Sequence, residues 1–137
     1  MKKKSDKSKL IKKLDAAFSQ YIRLKYADSR GFCHCISCGK IYHWTRIQNG
    51  HYMSRRYMST RYAEDNCRPQ CVACNMFRQG NIQSYRRNLI KEIGEERVDA
   101  VEIRARVERK NYSSWELEEL IKYYSAWVEI YKQEKGE

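Results

Sequence analysis

Two Cys-x2-Cys pairs, Cys35 with Cys38 and Cys71 with Cys74, are the residues of this chain best suited by type and spacing to bind a metal. Two residues between thiols let one tight turn present both sulfurs, and two such turns complete a tetrahedral four-thiolate shell of the kind that holds Zn2+. Such a shell is closed and leaves no position for substrate, so its ion staples structure and does not activate water. The 32 residues between the pairs contain His51 and Asn66, and Asn75 directly follows the last thiol. Singly, a histidine in a basic segment is more often a surface residue than a base, and an asparagine at a helix start is commonly a cap. Their order around two cysteine pairs favours a site. Cys33 and Cys67 are spare, as alternative ligands, small buried hydrophobes or free thiols, with the bystander reading preferred. His34, beside the first pair, is a further donor, and His43 reads as a strand residue.

The chain around these residues is basic. Its 137 residues carry a formal net charge of +11, and residues 1–85 hold 17 Lys+Arg against 5 Asp+Glu, whereas residues 86–137 hold 11 against 12. The cysteines lie in the basic half, and a polyanion is the natural partner of such a surface because each phosphate contact releases condensed counterions. Arg55, Arg56, Arg61, Arg68, Arg78, Arg86 and Arg87 flank the site with Tyr52, Tyr57, Tyr62 and Tyr85 among them. Guanidinium groups suit bidentate phosphate contact and aromatic faces suit stacking on unpaired bases; Arg55 and Arg56 are the phosphate contacts expected first. The N-terminus has no apolar segment behind its lysines, and no stretch approaches 18 uninterrupted apolar residues. The expectation is therefore a cytoplasmic protein with no membrane role, where six cysteines serve metal binding before disulfides.

The elements that position the site follow from periodicity. Residues 1–9 have no apolar residue after Met1 and read as a disordered basic arm ahead of a single domain spanning 10–137. From Leu10, apolar residues recur at steps of three and four, which predicts an N-terminal helix over 10–31. A β-branched and aromatic run then reaches Asn49-Gly50, a strong hairpin signal, predicting strands over 41–48 and 51–54. Residues 55–70, with the only proline, read as loop. A helix is expected from Cys71 or Val72, interrupted at Gly80-Asn81 and ending at Gly94. Helices follow from Glu95 to about Arg109 and, behind a Ser113/Glu116 capping box, to the C-terminus. The last helix carries Trp115, Tyr123, Tyr124, Trp127 and Tyr131; packing on the first helix is preferred, and a homodimer interface is the sharper alternative.

The order of His51, Asn66 and Asn75 around the cysteine pairs resembles the HNH, or ββα-metal, nuclease superfamily. The strings GHYMSRR, RYAEDN, QCVACN and GNIQSYRRNLIKEIG together resemble the phage NinG family, also called Rap, over about residues 32–98. The resemblance implies a helix-rich α+β fold with a zinc-stapled ββα-metal core over 32–94, flanked by helices at 10–31 and 95–137. It implies a metal-dependent endonuclease cutting branched, Holliday-junction-like DNA during phage recombination, in the host cytoplasm. In that reading His51 takes a proton from the attacking water, Asn66 holds the loop that orients His51, and Asn75 ligates Mg2+, with Mn2+ as the substitute ion. Many relatives in the superfamily carry an acid immediately before the base; this chain has Gly50 there, and Glu64 and Asp65 are the nearest acids that could replace it. The alternatives are an HNH nuclease of linear duplex DNA and a non-catalytic zinc-ribbon DNA-binding protein.

Overall fold

The computed structural model describes residues 2–135, with side chains from Asp6 onward. Helix α1 spans Lys2–Lys25 and buries Leu14, Phe18, Tyr21 and Ile22 along one stripe. The arm read as disordered is thus helical from Lys2, and Met1 lies outside the described residues. Lysine is a good helix former and no glycine or proline interrupts the segment, so the packed turns propagate backward through it. Lys7 Nζ also donates to Asn111 Oδ1 at 2.7 Å. At its other end α1 stops at Lys25, short of Gly31. There Asp28 Oδ1 accepts the N–H groups of Arg30 and Phe32 at 2.9 and 3.0 Å. Gly31 then turns the chain with φ +89°, a conformation that needs glycine.

Strands β1 (Phe32–His34) and β2 (Ile41–His43) form one antiparallel pair, joined through the first cysteine turn. Strands β3 (Gln48–His51) and β4 (Cys67–Gln70) form a second, in the register Gln48 to Gln70 and His51 to Cys67. Asn49-Gly50 is therefore not a hairpin turn: of the strand predicted over 41–48 only Ile41–His43 and Gln48 lie in strands, of that over 51–54 only His51, and the two do not pair with each other. Gly50 lies inside β3 because the Gln70 side chain packs directly on it: a Cβ built at Gly50 would stand 2.6 Å from Gln70 Cβ and nearer still to Oε1. The segment read as loop contains a short helix α2 (Met58–Arg61) and ends in β4. Pro69 is tolerated in β4, where its carbonyl accepts the Ile36 N–H at 2.9 Å.

After β4 a turn of π-type helix over Ala73–Phe77 leads through left-handed Gln79, Gly80 and Asn81 into α3 (Ile82–Ile93). The interruption expected at Gly80-Asn81 and the stop at Gly94, with φ +91°, are both present. Helix α4 (Glu95–Val107) follows, then α5 (Ser114–Glu134) behind the capping box, in which Ser113 Oγ accepts the Glu116 N–H at 3.1 Å.

The architecture is helix-rich α+β. One buried cluster joins α1, α5 and the cysteine turns, with the Phe18 and Tyr124 rings 4.9 Å apart edge to face; the other joins Tyr52, Tyr85, Leu89, Val98 and Val101. Helix α5 contributes Leu117, Tyr124 and Val128 to packing on α1, while Trp115 and Tyr123 are exposed. No helix among the described residues is long and apolar enough to cross a membrane.

Candidate functional site

The two cysteine turns meet as their spacing requires. The four Sγ atoms of Cys35, Cys38, Cys71 and Cys74 lie within 4.8 Å of one another, and Cys38 Sγ is 3.8 Å from Cys71 Sγ. Zn–S bonds of about 2.3 Å at tetrahedral angles put the sulfurs about 3.8 Å apart, so the cluster fits a four-thiolate zinc. Each turn is closed by an N–H donated to the first sulfur, from Cys38 to Cys35 and from Cys74 to Cys71, both at 3.5 Å. Burial resists ionisation of Cys71, but the Cys74 amide and the neighbouring thiols outweigh it and hold Cys71 down to about 7. Cys33 and Cys67 are buried outside the cluster, and burial pushes both thiols up, Cys33 to about 11. His34 is also outside it, with Nδ1 3.2 Å from the Gly39 carbonyl.

A cleft of about 490 Å³ is bordered by Asp15, Gln48, Asn49, His51, Arg55 and Asn75, among others. Gln48, Asn49 and His51 of β3 all border this cleft, while Gly50 packs against the Gln70 side chain. His51 Nε2 is 2.9 Å from the carbonyl oxygen of Arg61. A carbonyl only accepts, so Nε2 carries the hydrogen and Nδ1 keeps its lone pair. Burial brings the His51 pKa down to about 4, partly offset by that carbonyl and reinforced by Arg55 and Arg61.

Asn66 is fully buried between these parts. Its Oδ1 accepts the Met53 N–H at 2.7 Å, and its Nδ2 donates to the carbonyls of Met53 and Thr60 at 3.0 and 3.1 Å. Thr60 precedes Arg61, the residue that holds His51. Asn75 Nδ2 donates to Gln48 Oε1 at 2.8 Å, which leaves its Oδ1 as the uncommitted end. Asn49 Oδ1 is a buried acceptor with no donor. Amide oxygens are among the donors that a hard divalent cation takes, and Asn75 Oδ1 is such a donor at the edge of the cleft.

The cleft also contains a residue that the sequence pattern did not single out. Asp15 of α1 accepts from Arg61 Nε at 2.9 Å, from the second guanidinium nitrogen at 2.6 Å, and from Tyr62 OH at 2.8 Å. Its signal was present in retrospect: it is the only acid between Leu10 and Lys25. Glu64 and Asp65 do not replace an acid at Gly50, because Glu64 pairs with Lys25 and Asp65 with Arg97, away from the cleft.

The flanking basic and aromatic residues separate. Arg55 borders the cleft, whereas Arg56 lies over the Tyr57 ring at 4.8 Å and faces Arg106, Arg109 and Lys110. Arg68 is buried and bonded to Glu92 at 2.7 Å, and Arg86 pairs with Asp99 and Glu102; these two serve the fold. Tyr52, Tyr62 and Tyr85 are buried, which removes them as stacking faces.

These features define a helix-rich α+β protein with a four-cysteine cluster that fits a metal ion and a polar cleft beside it. The family model described as Bacteriophage Lambda NinG protein matches residues 1–134, and the chain belongs to this family. Similar relatives are Protein ninG of Escherichia phage lambda, 36% identical over 112 residues covering 80% of this chain and 49% of the relative, and Protein ninG of Salmonella phage P22, 37% identical over 95 residues covering 67% and 43%. The chain thus spans about half the length of the curated relatives it matches. No solved structure is significantly similar to it.

Proposed function

We propose that the chain is a metal-dependent endodeoxyribonuclease of HNH type that cuts branched, Holliday-junction-like DNA during phage recombination, in the cytoplasm of the infected cell. The observation that carries this reading is the Nε2–H of His51 held by the Arg61 carbonyl, which frees Nδ1 toward a cleft that Asn75 also borders. His51 Nδ1 takes a proton from water as the water oxygen attacks the scissile phosphorus, and the P–O bond to the leaving oxygen breaks. Asn75, with Asn49 beside it, would hold a divalent cation, which would supply neutralisation of charge on the phosphate and the leaving oxygen. Asn66 acts through Thr60 and Arg61 to keep His51 in place. Arg55 contacts a phosphate next to the cleft, Arg56 contacts one further along, and the four cysteines would hold a Zn2+ that ties β4 and Asn75 to the end of β1. The exposed Trp115 and Tyr123 on α5 suit a second copy of the chain, which would bring two sites to one junction.

Two features favour a second reading, a zinc-stapled DNA-binding protein without catalysis: Gly50 supplies no carboxylate, and Asp15 is committed to Arg61. Incubation of supercoiled plasmid, linear duplex, fork and four-way junction with the protein, with and without Mg2+, separates the readings. The proposal expects Mg2+-dependent cutting, fastest on the junction. Equal cutting of linear duplex identifies a general HNH nuclease, and binding without cutting on any substrate identifies the binding protein.

A further inference from the structure

The aromatic residues that flank the site in sequence are largely consumed by the core. Tyr52, Tyr62 and Tyr85 are buried, and Tyr57 lies under Arg56. Two apolar side chains show the opposite behaviour: Met76 is 62% exposed and Phe77 78% exposed, immediately after Asn75. Met76 borders the cleft, with its sulfur 3.5 Å from Gln48 Nε2, and Gln48 in turn accepts from Asn75.

The chain holds this pair out on a braced support. The wide π-type turn Ala73–Phe77 begins within the cysteine cluster at Cys74. Beyond Phe77 the chain doubles back through Gln79, Gly80 and Asn81, all with positive φ of 52°, 79° and 42°. For Gln79 and Asn81 that conformation is strained, and it persists only where surroundings enforce it. Here Asn81 Nδ2 donates to Cys74 Sγ at 3.4 Å, the Asn81 carbonyl accepts from Ser37 Oγ at 3.3 Å, and the Gly80 carbonyl accepts from Gln70 Nε2. Both ends of the turn are tied to the metal cluster and to β4, while its tip is presented to solvent. A π-type turn with enforced backbone strain beside a cleft is a pattern associated with function.

The patch is small. An aromatic side chain covers roughly 150–250 Å², and a stable protein interface takes about 800 Å² from each partner, so Met76 and Phe77 are too little for a protein partner. They match one flat apolar group adjoining a phosphate, and the basic half of the chain that presents them favours a polyanion. We infer that Phe77, with Met76 beside it, stacks on an unpaired nucleobase next to the phosphate held in the cleft, and so selects DNA with a branch or gap over continuous duplex. This rests on the DNA-binding part of the proposed function and is independent of catalysis.

The test is binding in the absence of divalent ions, where no cutting occurs. The probes are a forked duplex with one unpaired 2-aminopurine at the branch and a fully paired linear duplex of equal length. Wild type quenches the 2-aminopurine by stacking. Phe77→Ala abolishes the quench and weakens fork binding by about 5- to 150-fold, the range that one base–aromatic stack represents, while linear duplex binding stays within about twofold. Phe77→Trp keeps both the quench and the fork preference. Zinc content and melting temperature are unchanged in both variants, because Phe77 is exposed. Wild-type quench and affinity retained in Phe77→Ala overturn the inference, as does an equal loss on fork and duplex. If wild type binds neither probe, the DNA reading itself has failed; if it binds and stacks but never cuts when Mg2+ is added, only the nuclease reading has.

Discussion

The Nε2 of His51 donates to the carbonyl oxygen of Arg61 across 2.9 Å, and Arg61 is itself clamped by Asp15 of the first helix. The imidazole is thereby held in one tautomer, with Nδ1 as its basic atom. Because burial lowers the pKa of His51 to about 4, the base is neutral throughout the physiological range. The cleavage rate is expected to stay level on the acid side to about pH 5 and to fall only near pH 4, instead of falling near the ordinary histidine value of about 6.5. A pH profile measured at saturating metal checks this. Stability moves in the same direction: the unfolded chain takes up the His51 proton below about 6.5 and the folded chain does not, so this residue's contribution to stability falls as pH drops below that value.

Asn66 should matter through the same device. Replacing it by Ala leaves the Met53 N–H and carbonyl without their partner, while the Thr60 carbonyl keeps the Ala63 N–H, at a cost of about 1–3 kcal/mol. Denaturant melts of Asn66→Ala measure the loss, and its cutting rate should fall even at temperatures where it remains folded.

How much of this was legible in sequence depends on how local each signal was. The cysteine pairs, the break at Gly80-Asn81, the Gly94 stop and the Ser113 cap are decided within a few residues, and each was readable. The Asn49-Gly50 pair misled because a glycine that permits a turn also permits close packing, and the Gln70 side chain that occupies the space is distant in sequence. Asp15 was missed for a related reason: its partners Arg61 and Tyr62 lie far along the chain, and nothing in α1 alone reveals them. The buried tyrosines could not be told from stacking faces, since arginine and tyrosine interleave in both settings.

Gly50 yields a prediction of its own. An acid directly before the base has no room here, since any Cβ meets Gln70. Gly50→Asp should therefore add no metal ligand and should destabilise the fold, as Gly50→Ala should by about 1–3 kcal/mol. Thermal melts of both variants test this, and a Gly50→Asp protein with normal stability and tighter Mg2+ binding would contradict it.

Cys71→Ser and Cys74→Ser should each lose the zinc and cooperative melting together, because a structural zinc contributes its binding free energy to folding. Cys33→Ser and Cys67→Ser should keep the metal, as both lie outside the cluster. Metal analysis alongside melting distinguishes the two groups.

Arg55 and Arg56 should part company. Each phosphate contact contributes roughly 0.9 to the log-log salt slope of DNA binding. Arg55→Ala is expected to lower that slope by about this amount and to slow cutting, because Arg55 borders the cleft. Arg56→Ala should lower the slope alone, since it faces the patch beside α4.

The roles of His51 and Asn75 are tested together by cutting and binding of one junction substrate by His51→Ala and Asn75→Ala, with zinc content determined on the same samples. His51→Ala should bind the junction nearly as wild type, keep its zinc and cut at least about a hundredfold more slowly at every pH, with no rescue by Mn2+. Asn75→Ala should also cut slowly but regain part of its rate at raised Mg2+ or in Mn2+. A His51→Ala protein that cuts at the wild-type rate would show that His51 is not the base.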